Sequence, residues 1–128
     1  MTLMKIRLEL GRTDGYPDGD PGQGYEFIVP LDEKGQIDAH AWRKARQACT
    51  VRQFEAGFTV RKGLVRHVGH GWRFDYDHLD AQDDEVFFKL DRHVLQPGRY
   101  VSIRDLGGDY RPFRVVSVEP LPVAAVAP

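Results

Sequence analysis

The sequence predicts a mainly β protein with one α-helix, folded as a small β-barrel or barrel-like sandwich of about 7–9 mostly antiparallel strands. Three observations carry this expectation. Apolar residues alternate with polar ones in short runs, turn residues separate those runs, and one stretch alone has helical periodicity. Thirteen Gly and eight Pro against two Met favour many turns over long helices. At 128 residues the chain can bury a hydrophobic core without staples, so one barrel-like domain over residues 1–121 is expected, with a short C-terminal tail at 122–128.

Met4, Ile6, Leu8 and Leu10 alternate with Lys5, Arg7 and Glu9, the pattern of a half-buried first strand. Gly11 to Gly24 holds five Gly, two Pro and three Asp without an apolar period, and reads as one long loop. Tyr25, Phe27 and Val29 form a second strand that Pro30 closes. Asp38 is the expected N-cap of a helix over 38–49, with Ile37 and Trp42 at hydrophobic-staple spacing. Ala41, Trp42, Ala45, Ala48 and Cys49 fall on one face of it.

Strands resume at Thr50–Phe54, followed by Phe58–Arg61 and Leu64–Val68 as one or two more. Trp72, Phe74 and Tyr76 alternate with Arg73, Asp75 and Asp77. Val86, Phe88 and Leu90 make the next strand, and Pro97-Gly98 turns the chain into Arg99–Arg104. Gly107-Gly108 marks a hairpin loop before Tyr110–Val118.

The net charge of −1 conceals alternating blocks. Residues 1–13 carry +2, 14–38 carry −6, 39–74 carry +7, 75–85 carry −6, and 86–128 carry +2. Such blocks either steer partners or pair with one another across the fold. One cysteine, Cys49, precludes an internal disulfide, and no apolar run reaches signal-peptide or membrane-spanning length. A cytoplasmic setting without membrane contact is expected.

Each candidate site has an ordinary alternative. His67, His70 and Asp75 could hold a divalent metal, although their spacing matches no specific zinc motif and a surface histidine in a polar turn is the favoured reading. The acidic run from Asp75 to Glu85 lacks the glycine and glutamate positions of a calcium loop. Arg43, Arg52, Arg61, Arg66 and Arg73, interleaved with Trp42, Phe54, Phe58 and Trp72, could bind anions or single-stranded nucleic acid. Trp42 and Trp72 fit core positions better, and an isoelectric point near 6.5 is low for a nucleic-acid binder. Cys49 shares the apolar helix face and reads as a buried structural thiol.

Pro97–Ile103 followed by Arg111–Val118 is similar to a hairpin of the flavin-binding barrels of ferredoxin-reductase-like enzymes. The resemblance implies a barrel. Phe113 and Arg114 stand where those barrels carry a flavin-contacting Tyr and Ser, so it implies no flavin role and no cofactor is expected. The expected function is a non-catalytic binding or interaction module for a protein or small ligand. The alternatives are a metal-dependent or small-molecule site around His67, His70 and Asp75, and single-stranded nucleic-acid binding through the basic block at 43–73.

Overall fold

A computed structural model describes residues 2–68, 71–76, 85–87, 94–104 and 109–121. Eight antiparallel strands follow one another around a closed barrel: β1 (Leu3–Leu10), β2 (Asp20–Pro30), β3 (Thr50–Glu55), β4 (Phe58–Val68), β5 (Gly71–Tyr76), β6 (Glu85–Phe87), β7 (Tyr100–Arg104) and β8 (Tyr110–Pro120). Each strand pairs with its sequence neighbour, and β8 returns to β1 to close the ring. The mainly β, barrel-like expectation is met.

The register follows from the two-residue period. Ile6 lies opposite Phe27 and Val118 and Leu8 opposite Tyr25 and Val115, so both meet apolar neighbours on either side, while Leu10 lies opposite Phe113 on β8 and Asp20 on β2. Trp72, Phe74 and Tyr76 of β5 are buried likewise. The rings then meet across the interior. Tyr25 stands 5.0 Å from Phe74 and 5.1 Å from Phe113, and Phe27 stands 5.4 Å from Phe74. An eight-stranded barrel is just wide enough to be filled by side chains, and here aromatics fill it.

One end is closed by the β2–β3 connection. The Asp38 carboxylate accepts from Ala41 N at 3.0 Å and caps α1 (Ala39–Lys44). Trp42 donates its Nε1–H to the Val65 carbonyl at 2.9 Å and crosses Trp72 edge-on at 5.4 Å. Ile37 and Leu95 are buried at the same end. The helix is shorter than the 38–49 expected. Ala45 leaves helical geometry at φ −133°, and a 3-10 turn over Arg46–Ala48 leads to Cys49, whose carbonyl already accepts from Val65 N as the sheet resumes.

One further boundary differs from the sequence reading, and one open alternative is decided. The expected Gly11–Gly24 loop ends at residue 19, because β2 starts at Asp20 and pairs from there onto Leu10 across a register shift. Of the one or two strands expected over Phe58–Val68, the structure has one continuous strand. Glycine bears on both. Gly24 and Gly63 sit where a neighbouring strand passes so closely that a Cβ would overlap the carbonyl oxygen of Leu8 or of Asp75. A residue without a side chain contributes nothing to the period-two pattern, so the sequence shows a break where the sheet has none. Phe88, Leu90, Gly107-Gly108 and the 122–128 tail lie outside the described residues.

Gly24→Ala is accordingly expected to destabilise the barrel by about 3 kcal/mol, since backbone and not a movable side chain must yield. Gly57→Ala, at a β3–β4 turn residue with φ 82° and open space around it, is expected to cost about 1 kcal/mol. Urea unfolding of the two variants checks the ordering.

Candidate functional site

The sheet opens on its outer surface between β2 and β3. β2 and β3 pair only over Gly24–Phe27 and Val51–Phe54, yet β2 continues on β1 to Pro30. Meanwhile β3 begins at Thr50 opposite Leu64 of β4. Beyond Phe27 the two strands therefore part, and the 3-10 turn bridges the gap. The result is a groove of about 570 Å³, within the usual range for small-molecule sites. Ile28 and Leu64, both half-buried, supply apolar lining; Lys5, Gln47, Thr50 and Lys62 supply polar groups.

Glu26 anchors the electrostatics of this groove. The alternation Tyr25-Glu26-Phe27 turns its side chain outward, and the register sets it beside Arg7 on β1 and Arg52 on β3. Arg52 Nε donates to Glu26 Oε1 at 2.6 Å, Arg52 Nη2 also pairs with that oxygen, and Arg52 Nη1 donates to Thr59 Oγ1 at 2.9 Å. Lys5 and Arg7 approach Glu26 Oε2 at 3.4 and 3.7 Å. Burial raises the carboxyl pKa, but the Arg52 hydrogen bond and the charges of Arg52, Lys5 and Arg7 outweigh it and hold Glu26 below its ordinary value.

Phe54 fixes this arrangement from below. The regular alternation of β3, with Val51 and Gln53 inward and Arg52 outward, turns the ring to the outer surface, where it is nevertheless buried. It lies against Gly24, with the Arg7 guanidinium 4.3 Å and the Arg52 guanidinium 5.1 Å from its centroid. Arg52 is thus committed to Glu26, Thr59 and Phe54. Lys62, its exposed cross-strand neighbour, pairs with no carboxylate among the described residues.

The residues singled out by sequence are dispersed. His67 lies opposite Trp72, with ring centroids 4.4 Å apart, on the face of the sheet that includes Val65 and Phe74. Asp75 is on the other face and accepts from Arg66 Nη1 at 2.9 Å. The hairpin pairing therefore separates His67 from Asp75, and His70 lies outside the described residues. Among the described residues no three His, Cys, Asp or Glu side chains are grouped to hold a metal.

The basic set does not form one surface either. Arg43 is exposed in the last turn of α1, Arg52 is in the groove, and Arg66 and Arg73 are outward neighbours across β4 and β5. Arg61 faces the other way, its guanidinium 5.3 Å from the Tyr76 ring centroid. The Arg52–Glu26 and Arg66–Asp75 pairs show that the charge blocks do meet across the fold. Of the groove residues, Lys62 fell within the basic block at 43–73, while Lys5, Gln47 and Thr50 escaped the sequence reading as site residues. The only signal for them was the acidic block before residue 38 facing the basic block after it.

Among the described residues no helix is long and apolar enough to cross a membrane. Cys49 is fully buried, and burial pushes its thiol from 9.0 up to about 11. Compared with known proteins, the chain matches no family model, no curated protein and no solved structure at a significant level.

Two pH dependences follow. Because the Glu26 pKa is lowered on folding, its contribution is present above the ordinary value of 4.5 and lost as pH falls through the folded value. The stability gap between wild type and Glu26→Gln, read from urea midpoints, should close on acidification. Cys49 acts in the opposite sense. Its raised pKa makes stability fall from pH 9.0 until about pH 11, a decline that Cys49→Ala should lack. Native protein should also resist thiol alkylation that proceeds readily in denaturant.

Proposed function

We propose that this chain is a non-catalytic binding module that holds a small amphipathic anion in the β2–β3–β4 groove. The observation that carries the reading is the groove's composition: an apolar lining of Ile28 and Leu64 beside the cations Lys5 and Lys62. An apolar body against those two side chains leaves a carboxylate or similar head within reach of the lysines. The filled barrel interior favours an outer site over an interior one. Two further points support a binding role. The thiol is held protonated by burial, and the groove's carboxylate is committed to three cations instead of being poised for proton transfer. A lone buried cysteine fits a reducing cytoplasmic setting.

A second reading has one observation in its favour. Phe58 is 76% exposed on β4, on the strand that also presents Val60, Lys62 and Arg66, with Arg73 alongside on β5. An exposed ring beside cations suits single-stranded nucleic acid, although the Asp75 pair already engages Arg66. Retention on a single-stranded DNA column that falls with salt would support this reading, and flow-through at low salt would remove it.

The primary test is calorimetric titration with hexanoate and benzoate, with hexanol as the uncharged comparison. Saturable binding of the acids, stronger than that of the alcohol, is expected. Lys62→Ala should weaken it about threefold, the scale of one exposed charge, and Leu64→Asp should abolish it. Equal binding of acid and alcohol, or an unchanged affinity in Lys62→Ala, would sink the proposal.

A further inference from the structure

The interior lining of the barrel changes character at the end opposite α1. Along β3 the inward series runs Val51 then Gln53; along β8, from the other direction, Phe113 then Arg111. On β4, Val65 and Gly63 give way to Arg61. An apolar core thus terminates in a polar layer.

One half of that layer is internally satisfied. Arg111 Nη2 donates to Gln23 Oε1 at 3.0 Å, and Gln23 Nε2 donates to Asp20 Oδ2 at 2.9 Å. Gly22 N donates to Asp20 Oδ1 at 2.9 Å. The Gly22 amide, reinforced by Gln23, holds Asp20 below the usual carboxylate range.

The other half is not satisfied. Gln53 and Arg61 are direct cross-strand neighbours on the inward face. Gln53 is only 8% exposed and its Oε1 is buried without a partner among the described residues, as is Arg61 Nη1. A buried donor on a guanidinium and a buried amide acceptor are each costly when unmatched. They are not matched to each other, although the register brings them side by side. Arg61 as a whole is only half-buried and lies over Tyr76, so part of its side chain reaches the surface although Nη1 itself is covered.

We infer that this barrel end binds a small oxyanion that still carries a hydrogen-bond donor, accepting from Arg61 Nη1 and donating to Gln53 Oε1. The positive charge of Arg61 selects an anion, and the amide oxygen selects one with a proton to give. Hydrogen phosphate meets both requirements, and so does an α-hydroxy carboxylate. Sulfate and acetate supply the charge without the donor. The site is on the inner surface of the sheet, away from the lysine-lined groove, and stands independently of it.

The test titrates the full chain near neutral pH with inorganic phosphate against sulfate, and with glycolate against acetate, at matched ionic strength. Phosphate or glycolate should bind about tenfold more tightly than its donor-free counterpart, and the tighter of the two names the group recognised. Phosphate should also shift the Gln53 side-chain amide resonances. Gln53→Leu should bring each pair within about twofold of one another while retaining anion binding. Arg61→Met should lose binding altogether. Should methionine unfold the barrel, Arg61→Lys keeps the charge but not the N–H geometry, and must weaken phosphate. Lys62→Ala should leave phosphate affinity unchanged, separating this site from the groove. In the wild type, equal affinity within both pairs, phosphate with sulfate and glycolate with acetate, would overturn the inference, as would wild-type affinity in Arg61→Lys.

Discussion

Four rings bridge the middle of the barrel, and most of the remaining structure depends on them. Tyr25 of β2 touches Phe74 of β5 and Phe113 of β8, while Phe27 meets Phe74 from the next inward position. Burial of an aromatic side chain is worth on the order of 2–3 kcal/mol, before any gain from ring geometry. These contacts join strands far apart around the ring, which backbone pairing alone links only through their neighbours. They also leave the interior no room for a ligand, and so direct binding to the outer surface and the barrel ends.

A filled barrel must still accommodate strand crossings, and glycine meets that need. At Gly24 the approach of Leu8 permits no Cβ, and the space left on the outer surface receives the Phe54 ring. Phe54 in turn supports the guanidinium groups of Arg7 and Arg52, which grip Glu26. The chain of cause runs from one missing side chain to a buried outer aromatic, then to a fixed ion cluster beside the groove. Such a cluster contributes little to stability where it is exposed. Its effect is geometric: Arg52 is held in place, and Lys62 is left as the groove's unengaged cation.

The two ends of the barrel differ for similarly local reasons. At the helix end Trp42 brings both an apolar surface and a donor that Val65 accepts, and only the Nε1 of the neighbouring Trp72 is left buried without a partner among the described residues. At the opposite end Gln53 and Arg61 occupy inward positions that apolar residues would fill without cost. Buried polar groups left partly matched are expensive in a setting of low polarity. Their presence gives that end a chemical preference that the helix end lacks.

Much of the fold was legible in one dimension, because strand alternation and helix capping are local properties. Met4 to Leu10, Trp72 to Tyr76 and the Asp38 cap needed no knowledge of their partners. Boundaries failed where glycine erased the pattern, as at Gly24, and where the helix was shortened by the chain's return to β3, while Gly63 left open whether one strand or two follow Phe58. Hydrophobic period determined which residues of β1, β2 and β5 are buried. It could not show that Arg61 faces inward with them, or that Phe54 is buried on the outer surface, since strand alternation puts this polar residue in phase with Val65 and this apolar one in phase with Arg52, against the polarity on which the reading rests. The candidate groove was invisible for a related reason. Lys5, Glu26, Gln47 and Lys62 become neighbours only once β1 through β4 are paired, and sequence spacing carries no information about that pairing.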